Sequence, residues 1–259
     1  MTKFLTLSNN QAKFIKSLSN SNIRKETNSF LVEGQKCCSE LLNSNYLVSF
    51  IVINSDDTTN KNNPIITEAQ KRNIKIFQIK NSIFEKLCDT KTPQSVIAIA
   101  QIQSNSIFDN QSFIALDNVS DPGNVGTIIR TADWFGIKQI IFFDNSVDKY
   151  SPKVIRSSMG SIFRINIIEE KDNYNILKKH FPAIPIFAAS LNGKIDLKSI
   201  HPTKKFGLIV GNEARGISAK LNKFITQSIF IGGQGTAESL NVAVATGIAL
   251  FHFFDIIKR

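Results

Sequence analysis

The sequence predicts an α/β protein whose C-terminal part is built on a parallel sheet and whose N-terminal part is a smaller α/β unit. Three observations predict it. From residue 113 onward, apolar runs of five to seven residues recur, each followed by turn residues and a helical stretch: FIALD, QIIFFD, IFRINII, IPIFAAS, FGLIVG and SIFIGG. Such runs, spaced by helices, belong to strands covered on both faces, as in a parallel sheet. The first hundred residues alternate short helices and strands on a smaller scale. Between the two patterns lies a polar stretch without periodicity. The expected organisation is a unit at 1–102, a linker at 103–112 and a second unit at 113–259.

Near the N-terminus, Phe14, Ile15 and Leu18 share one side of a short helix, and Lys13, Lys16, Arg24 and Lys25 lie on its other side or just after it. That basic face suits RNA phosphates, which give affinity without sequence choice; a solvated helix face is the plain alternative. A helix over 33–42 follows, then strands at 47–53, 74–79 and 95–102, with a helix at 65–72 opened by Pro64. In the second part, the strand at 113–117 runs through Pro122, Gly123 and Asn124 into a helix stopped by Gly136. Ser151 and Pro152 form a cap and first-turn proline for another helix. The last helix, 242–254, is apolar nearly all round and is expected to be buried.

With 259 residues, 42% hydrophobic and 20% charged, the chain can bury a sizeable core and is no disordered tail. Its net charge of +10 favours a polyanionic partner such as nucleic acid. Cys37, Cys38 and Cys88 are odd in number and lack CxxC spacing, so neither a disulfide framework nor a zinc site is expected, and a reducing cytoplasm is. The start is polar within a few residues and the longest apolar stretch is too short to span a bilayer, so no membrane association is expected. His180, His201 and His252 lie outside the glycine-containing clusters described next. A metal centre or a histidine-based triad is therefore not expected.

Three clusters carry chemistry. After Asp117 the chain presents Asn124, Gly126 and Thr127 in the first turn of a helix, with Arg130 under two turns further on. Free N–H groups at such a helix start suit a phosphate or carboxylate. The second cluster, 206–218, sets Asn212, Glu213 and Arg215 between Gly211 and Gly216, where glycines permit close backbone approach. The third runs from Gly232 through Ser239 and Asn241 into the last helix, Ser239 and Asn241 forming its cap. Taken singly, the first two are as well read as ordinary turns and loops. Neither a GxGxxG fingerprint nor a GxxxxGK[ST] loop is present, which disfavours a dinucleotide dehydrogenase or a P-loop enzyme.

Together and in this order, the clusters resemble the three motifs of the SpoU/TrmH family of SPOUT RNA methyltransferases. The pattern DNvxDPxNvGxiiRta…fG matches 117–136, lvxGnExxGis matches 208–218, and SLNVxvAxgi matches 239–248. The stretch 154–163, VIRSSMGSIF, is similar to the vxrxSxGaxf segment between the first two motifs. FLVEGQK at 30–36 and TPQSVIA at 92–98 resemble, more weakly, the substrate-binding domain attached to many members.

The resemblance implies a C-terminal segment threaded into a deep trefoil knot, an exception to unknotted topology. It implies S-adenosylmethionine held by three loops, here at Ala189, Ser190 and Leu191, at Val210 and Gly211, and at Ile231, Ser239 and Leu240. It implies methyl transfer to a ribose 2′-hydroxyl of RNA, with Asn124, Arg130, Glu213, Ser239 and Asn241 at the catalytic positions. A homodimer through the knotted domain is implied as well. The extra N-terminal domain favours ribosomal over transfer RNA as substrate; a tRNA enzyme and a catalytically silent RNA-binding member are the alternatives.

Overall fold

The computed structural model describes residues 4–58, 63–143, 146–171, 173–201 and 204–258, with side chains to 254. The chain divides into two compact units, Met1–Ser104 with Tyr150–Phe163 and Asn105–Lys149 with Arg164–Arg259.

In the first unit, β1 (Leu5–Thr6), α1 (Asn9–Ser17), α2 (Ser21–Glu26), β2 (Ser29–Glu33), α3 (Gln35–Leu42), β3 (Val48–Asn54), α4 (Pro64–Lys71), β4 (Lys75–Ile79), α5 (Asn81–Leu87) and β5 (Val96–Gln101) follow in order. The sheet order is β1-β4-β3-β5-β2; β1, β4 and β3 run parallel, and β5 is antiparallel to both β3 and β2. Strand β2 was not among the expected strands. Its five residues are all buried and end one residue short of Gly34, whose φ of 91° turns the chain directly into α3. A capping box starts α1: Ser8 Oγ accepts from the Gln11 amide at 3.3 Å, and the Gln11 side chain accepts from the Ser8 amide at 2.9 Å. Ile15, Leu18, Val52, Phe84 and Ile97 pack in the core beneath it. All three cysteines are buried, and burial pushes their thiols up, that of Cys88 to about 12, which makes them inert packing residues.

Lys13, Lys16 and Lys25 are exposed, but Arg24 does not join them. It is only 3% exposed, and its Nη1 donates to the carbonyls of Leu18 at 2.7 Å and Ser19 at 2.9 Å. These carbonyls lie in the turn just after α1, and Arg24, a few residues on in α2, folds back to satisfy them. The expectation of an RNA contact at Arg24 is corrected accordingly.

The second unit contains β6 (Phe113–Asp117), α6 (Pro122–Trp134) and β7 (Gln139–Phe143). After an excursion into the first unit it continues with β8 (Asn166–Glu170), α8 (Asn175–His180), β9 (Ile186–Ala189), β10 (Ile195–Asp196), β11 (Gly207–Gly211), β12 (Gln227–Phe230) and α9 (Val242–Lys258). The seven strands lie in the order β10-β12-β9-β11-β6-β7-β8, every neighbouring pair parallel. Strands β6 and β7 are buried along their whole length, as continuous apolar runs predict. The strand expected at 162–168 begins only at Asn166, because Ser161–Phe163 is a buried 3₁₀ turn of the first unit. The strand expected at 228–233 ends at Phe230, and 231–241 form neither helix nor strand.

The expected linker is not free either. Asn105 Nδ2 donates to the Ile167 carbonyl at 3.0 Å, Asn166 Nδ2 to the Ser106 carbonyl at 2.7 Å, and the fully buried Gln139 exchanges two hydrogen bonds with the Phe108 backbone. Polar residues that read as a linker here give the backbone partners along the second unit. The helix α7 (Pro152–Ser158), capped by Ser151, was expected within the second unit but clusters with the first. Tyr150 stacks on Phe30 at 4.4 Å and its hydroxyl lies 3.2 Å from that of Tyr46, so the segment completes the first unit's own core.

A Cβ added at Gly207 would stand 2.4 Å from the Phe113 ring, which is itself packed on Phe181 at 4.2 Å and has no room to yield. Gly207→Ala is expected to destabilise the protein by about 1–3 kcal/mol through overpacking. A lowered midpoint of urea unfolding with an unchanged slope checks this.

Candidate active site

The end of β6 organises the site. Asp117 is buried, and its Oδ2 accepts from the Ser218 amide at 2.5 Å. Asn118 takes a φ of 57°, a left-handed conformation that asparagine tolerates better than most residues, and its carbonyl accepts from Asn212 Nδ2 at 3.1 Å. Asn212 Oδ1 in turn accepts from the amides of Ala214 and Arg215, while its backbone exchanges two bonds with Gly216. Residues 212–216 thus form a closed loop hooked onto the end of β6. Gly211 is required beneath it, since a Cβ there would come within 2.4 Å of the Gly216 carbonyl oxygen.

On the neighbouring helix α6, Asp121 caps the first turn by accepting from the Asn124 amide at 2.8 Å, with Pro122 in the first turn. Asn124 is thereby held where its Nδ2 donates to Glu213 Oε1 at 2.5 Å. Its Oδ1 accepts from Asn241 Nδ2 at 2.9 Å. Asn241 Oδ1 meanwhile accepts from the amides of Ala243 and Val244 and so caps α9. One amide side chain therefore joins the three sequence clusters, across chain separations of 89 and 117 residues.

Of the five residues expected to be catalytic, Asn124, Glu213 and Asn241 are brought together. Arg130 lies exposed further along α6, and among the described residues none makes an ion pair or hydrogen bond with it. Ser239 is exposed in the preceding loop; the cap of α9 is Asn241 alone. The residues expected to hold a cofactor fall at the carboxyl ends of three adjacent strands: Ala189, Ser190 and Leu191 at β9, Val210 and Gly211 at β11, and Ile231 after β12, with Ser239 and Leu240 at the end of the following loop. Ligand crevices of parallel sheets lie outside that edge. Lys13, Lys16 and Lys25 are on α1 and α2 of the first unit. The clamp made by Asn118 and Asn212 was not anticipated; an asparagine directly after a strand's terminal Asp was its available signal. Among the described residues no group of three His, Cys, Asp or Glu side chains could hold a metal ion, and no helix is long and apolar enough to cross a membrane.

Residues 111–251 match the model of the SpoU rRNA Methylase family. The chain belongs to that family. Residues 9–98 match the MRM3-like substrate binding domain. Over 252 residues, 97% of this chain and 99% of the relative, it is 29% identical to the 23S rRNA (guanosine(2553)-2′-O)-methyltransferase RlmP of Bacillus subtilis. Its fold is similar to that of an AdoMet-bound rRNA methyltransferase from Sinorhizobium meliloti, with a TM-score of 0.84, 29% identity and 97% of both chains covered. A TrmH-family structure from Porphyromonas gingivalis has a TM-score of 0.80 at 32% identity, covering 96% of this chain and 98% of its own.

Because Asn241 caps α9 and also donates to Asn124, its two roles separate by substitution. Asn241→Ala is expected to lower stability by about 1 kcal/mol through loss of the cap. Asn241→Asp keeps the capping oxygen but loses the donor to Asn124, so its thermal unfolding should stay close to wild type while the junction at Asn124 is broken.

Proposed function

We propose that the protein transfers a methyl group from S-adenosylmethionine to a ribose 2′-hydroxyl of ribosomal RNA. The observation that carries this reading is the junction at Asn124, which gathers the three family motifs at the carboxyl end of the sheet, with Arg130 exposed on the same helix. The residues present fit the cofactor. Leu191 and Leu240 are large apolar side chains left exposed on two of the three loops, suited to the faces of an adenine, and the loops offer backbone groups for its edges.

The bound cofactor supplies a methyl group carried on a sulfonium, which requires only in-line approach of an oxygen nucleophile. The protein's task is then positioning and the handling of one proton. Arg130, whose guanidinium keeps its proton, orients the ribose hydroxyl or its neighbouring phosphate through its planar fork. Asn124, held between Glu213 and Asn241, would form the wall against which the nucleotide rests, and Ser239 lies in the loop that would hold the cofactor. Proton removal falls to solvent or to the phosphate. Lys13, Lys16 and Lys25 add phosphate contacts from the first unit. RlmP's 23S rRNA substrate and the matched substrate-binding domain support rRNA over tRNA. A silent RNA-binding role would fit a chain lacking a motif residue, and none of the five is missing here.

We also assign a homodimer and a threaded C-terminal segment. Helix α9 was expected to be buried all round, yet Val244, Ile248 and Phe251, spaced four and three residues apart, are 51%, 38% and 64% exposed. Trp134 at the end of α6, the helix against which α9 packs, is 85% exposed. An apolar face of this kind calls for a cover, and a second copy of the same face supplies it with two-fold symmetry. The contacts of α9 with α6, with β11 and with the turn at Leu197–Ser199 support a threaded path.

Arg130→Ala is expected to lower labelled methyl transfer to unmodified 23S rRNA by about 10²–10³-fold, with Arg130→Lys recovering little because an ammonium cannot reproduce the fork. Full activity in Arg130→Lys would sink the bidentate role. Phe251→Glu is expected to turn a dimer into a monomer in sedimentation velocity; an unchanged sedimentation coefficient counts against the α9 interface.

A further inference from the structure

The solvent side of α6 carries one stripe. Thr127, Arg130 and Trp134 are exposed at spacings of three and four residues, which puts them within about 60° of arc on one side of a helix with 3.6 residues per turn. Trp134 is the chain's one tryptophan and, at 85%, its most exposed large apolar side chain among the described residues. An indole left so open contributes little to folding.

The stripe is bounded on both sides within the second unit. On one side α9 lies against α6: a Cβ added at Gly247 would stand 3.8 Å from Thr131 Cγ2, and the rings of Phe135 and Phe254 meet edge-on at 5.6 Å. On the other side Arg164 donates through Nε at 2.9 Å and Nη2 at 2.7 Å to Asp133 Oδ2, so the carboxylate next to Trp134 in sequence is already neutralised. Lys138 is exposed just past the stop at Gly136. The indole is thus flanked along the chain by Arg130 and Lys138 with no uncompensated acid between them. The apolar stripe of α9 is complete without it, and a charged, polar stripe is a poor core for a subunit interface. An aromatic ring set among cations is instead the pattern of a platform for single-stranded RNA. The end of a helix carries partial negative charge, which repels a phosphate but not an uncharged base.

At 1.5 Å of rise per residue, Trp134 stands about 6 Å beyond Arg130 along the helix and about 15 Å beyond Asn124. That is too far from the junction at Asn124 for the indole to touch reacting atoms, yet a nucleotide beside the one engaged by Arg130 comes within its reach. We propose that Trp134 is the stacking platform for the base of a nucleotide flanking the methylated one, with Arg130 and Lys138 facing the phosphates on either side. This rests on the methyltransferase reading. Every base offers a π-face, so the platform accepts any base at that position. Stacking is made equally before and during methyl transfer, so it acts on KM and leaves kcat alone.

The test compares wild type, Trp134→Phe, Trp134→Leu and Trp134→Ala in methyl transfer to unmodified 23S rRNA. Trp134→Ala and Trp134→Leu are expected to raise KM for the RNA about tenfold, with kcat, S-adenosylmethionine affinity and sedimentation coefficient as in wild type. Trp134→Phe, which keeps a ring, should recover most of the loss. The fluorescence of wild type, arising from this one tryptophan, should be quenched by a fragment of 23S rRNA that carries the mapped nucleotide. An unchanged KM in Trp134→Ala, a fall confined to kcat, recovery by Trp134→Leu as full as by Trp134→Phe, or fluorescence indifferent to the fragment overturns the proposal. A smaller sedimentation coefficient in Trp134→Ala also overturns it, by assigning the indole to the subunit interface. A wild type that methylates no RNA overturns the methyltransferase reading and this proposal with it, whereas an active wild type with variants of unchanged KM removes this proposal alone.

Discussion

All seven strands of the larger sheet run the same way, and the site depends on that one constraint. Parallel strands deliver all their C-terminal loops to a single edge. Registering β11 residue for residue on β6 puts Gly211 beside Asp117, and the loops that follow them meet without any long side chain having to bridge a gap. The short hydrogen bond from Ser218 to Asp117 and the amide clamp of Asn212 then turn a strand end into a fixed platform. Asn124 needs only the two bonds of its own side chain to complete the junction because everything it touches is already placed.

Rigidity at that edge is built largely from short polar side chains bound to backbone groups. Asp121, Asn212 and Asn241 each hold a backbone amide close by in sequence, and Asn212 and Asn241 reach a second segment as well. Such side chains have few rotamers to lose, so fixing them costs little entropy. Arg130, by contrast, is long, exposed and unengaged among the described residues.

What was legible in the sequence were features whose physics is local. The cap Ser151, followed by proline, and the stop at Gly136, with φ of 73°, depend on one turn of chain and were read correctly. The parallel sheet was legible because β6, β7 and β11 are apolar on both faces. Three features were not legible, each because its partners are set by the turn or fold around it and not by residue type. Arg24 looked like any surface cation, and only the turn between α1 and α2 brings the carbonyls of Leu18 and Ser19 within its reach. The polar residues at 105–110 looked like a linker because their partners, Gln139 and Asn166, lie more than thirty or about sixty residues away. The outer face of α9 could not be distinguished from its inner face by composition, since both are apolar. In the site, the three clusters were visible as motifs, but which amide would join them was not.

The return of the chain to the first unit also bears on how the protein is made. A ribosome that has released residue 104 has not yet supplied Tyr150, which stacks on Phe30, or Arg156, which faces Glu33. At roughly 5–20 residues per second, several seconds of synthesis separate the first unit's own strands from the segment that completes it. During that interval the ring of Phe30 and the carboxylate of Glu33 lack those partners, and the nascent unit waits in an unfinished state while β6, α6 and β7 are being added. Folding of this chain is therefore interleaved: the N-terminal unit closes only after the C-terminal unit has begun.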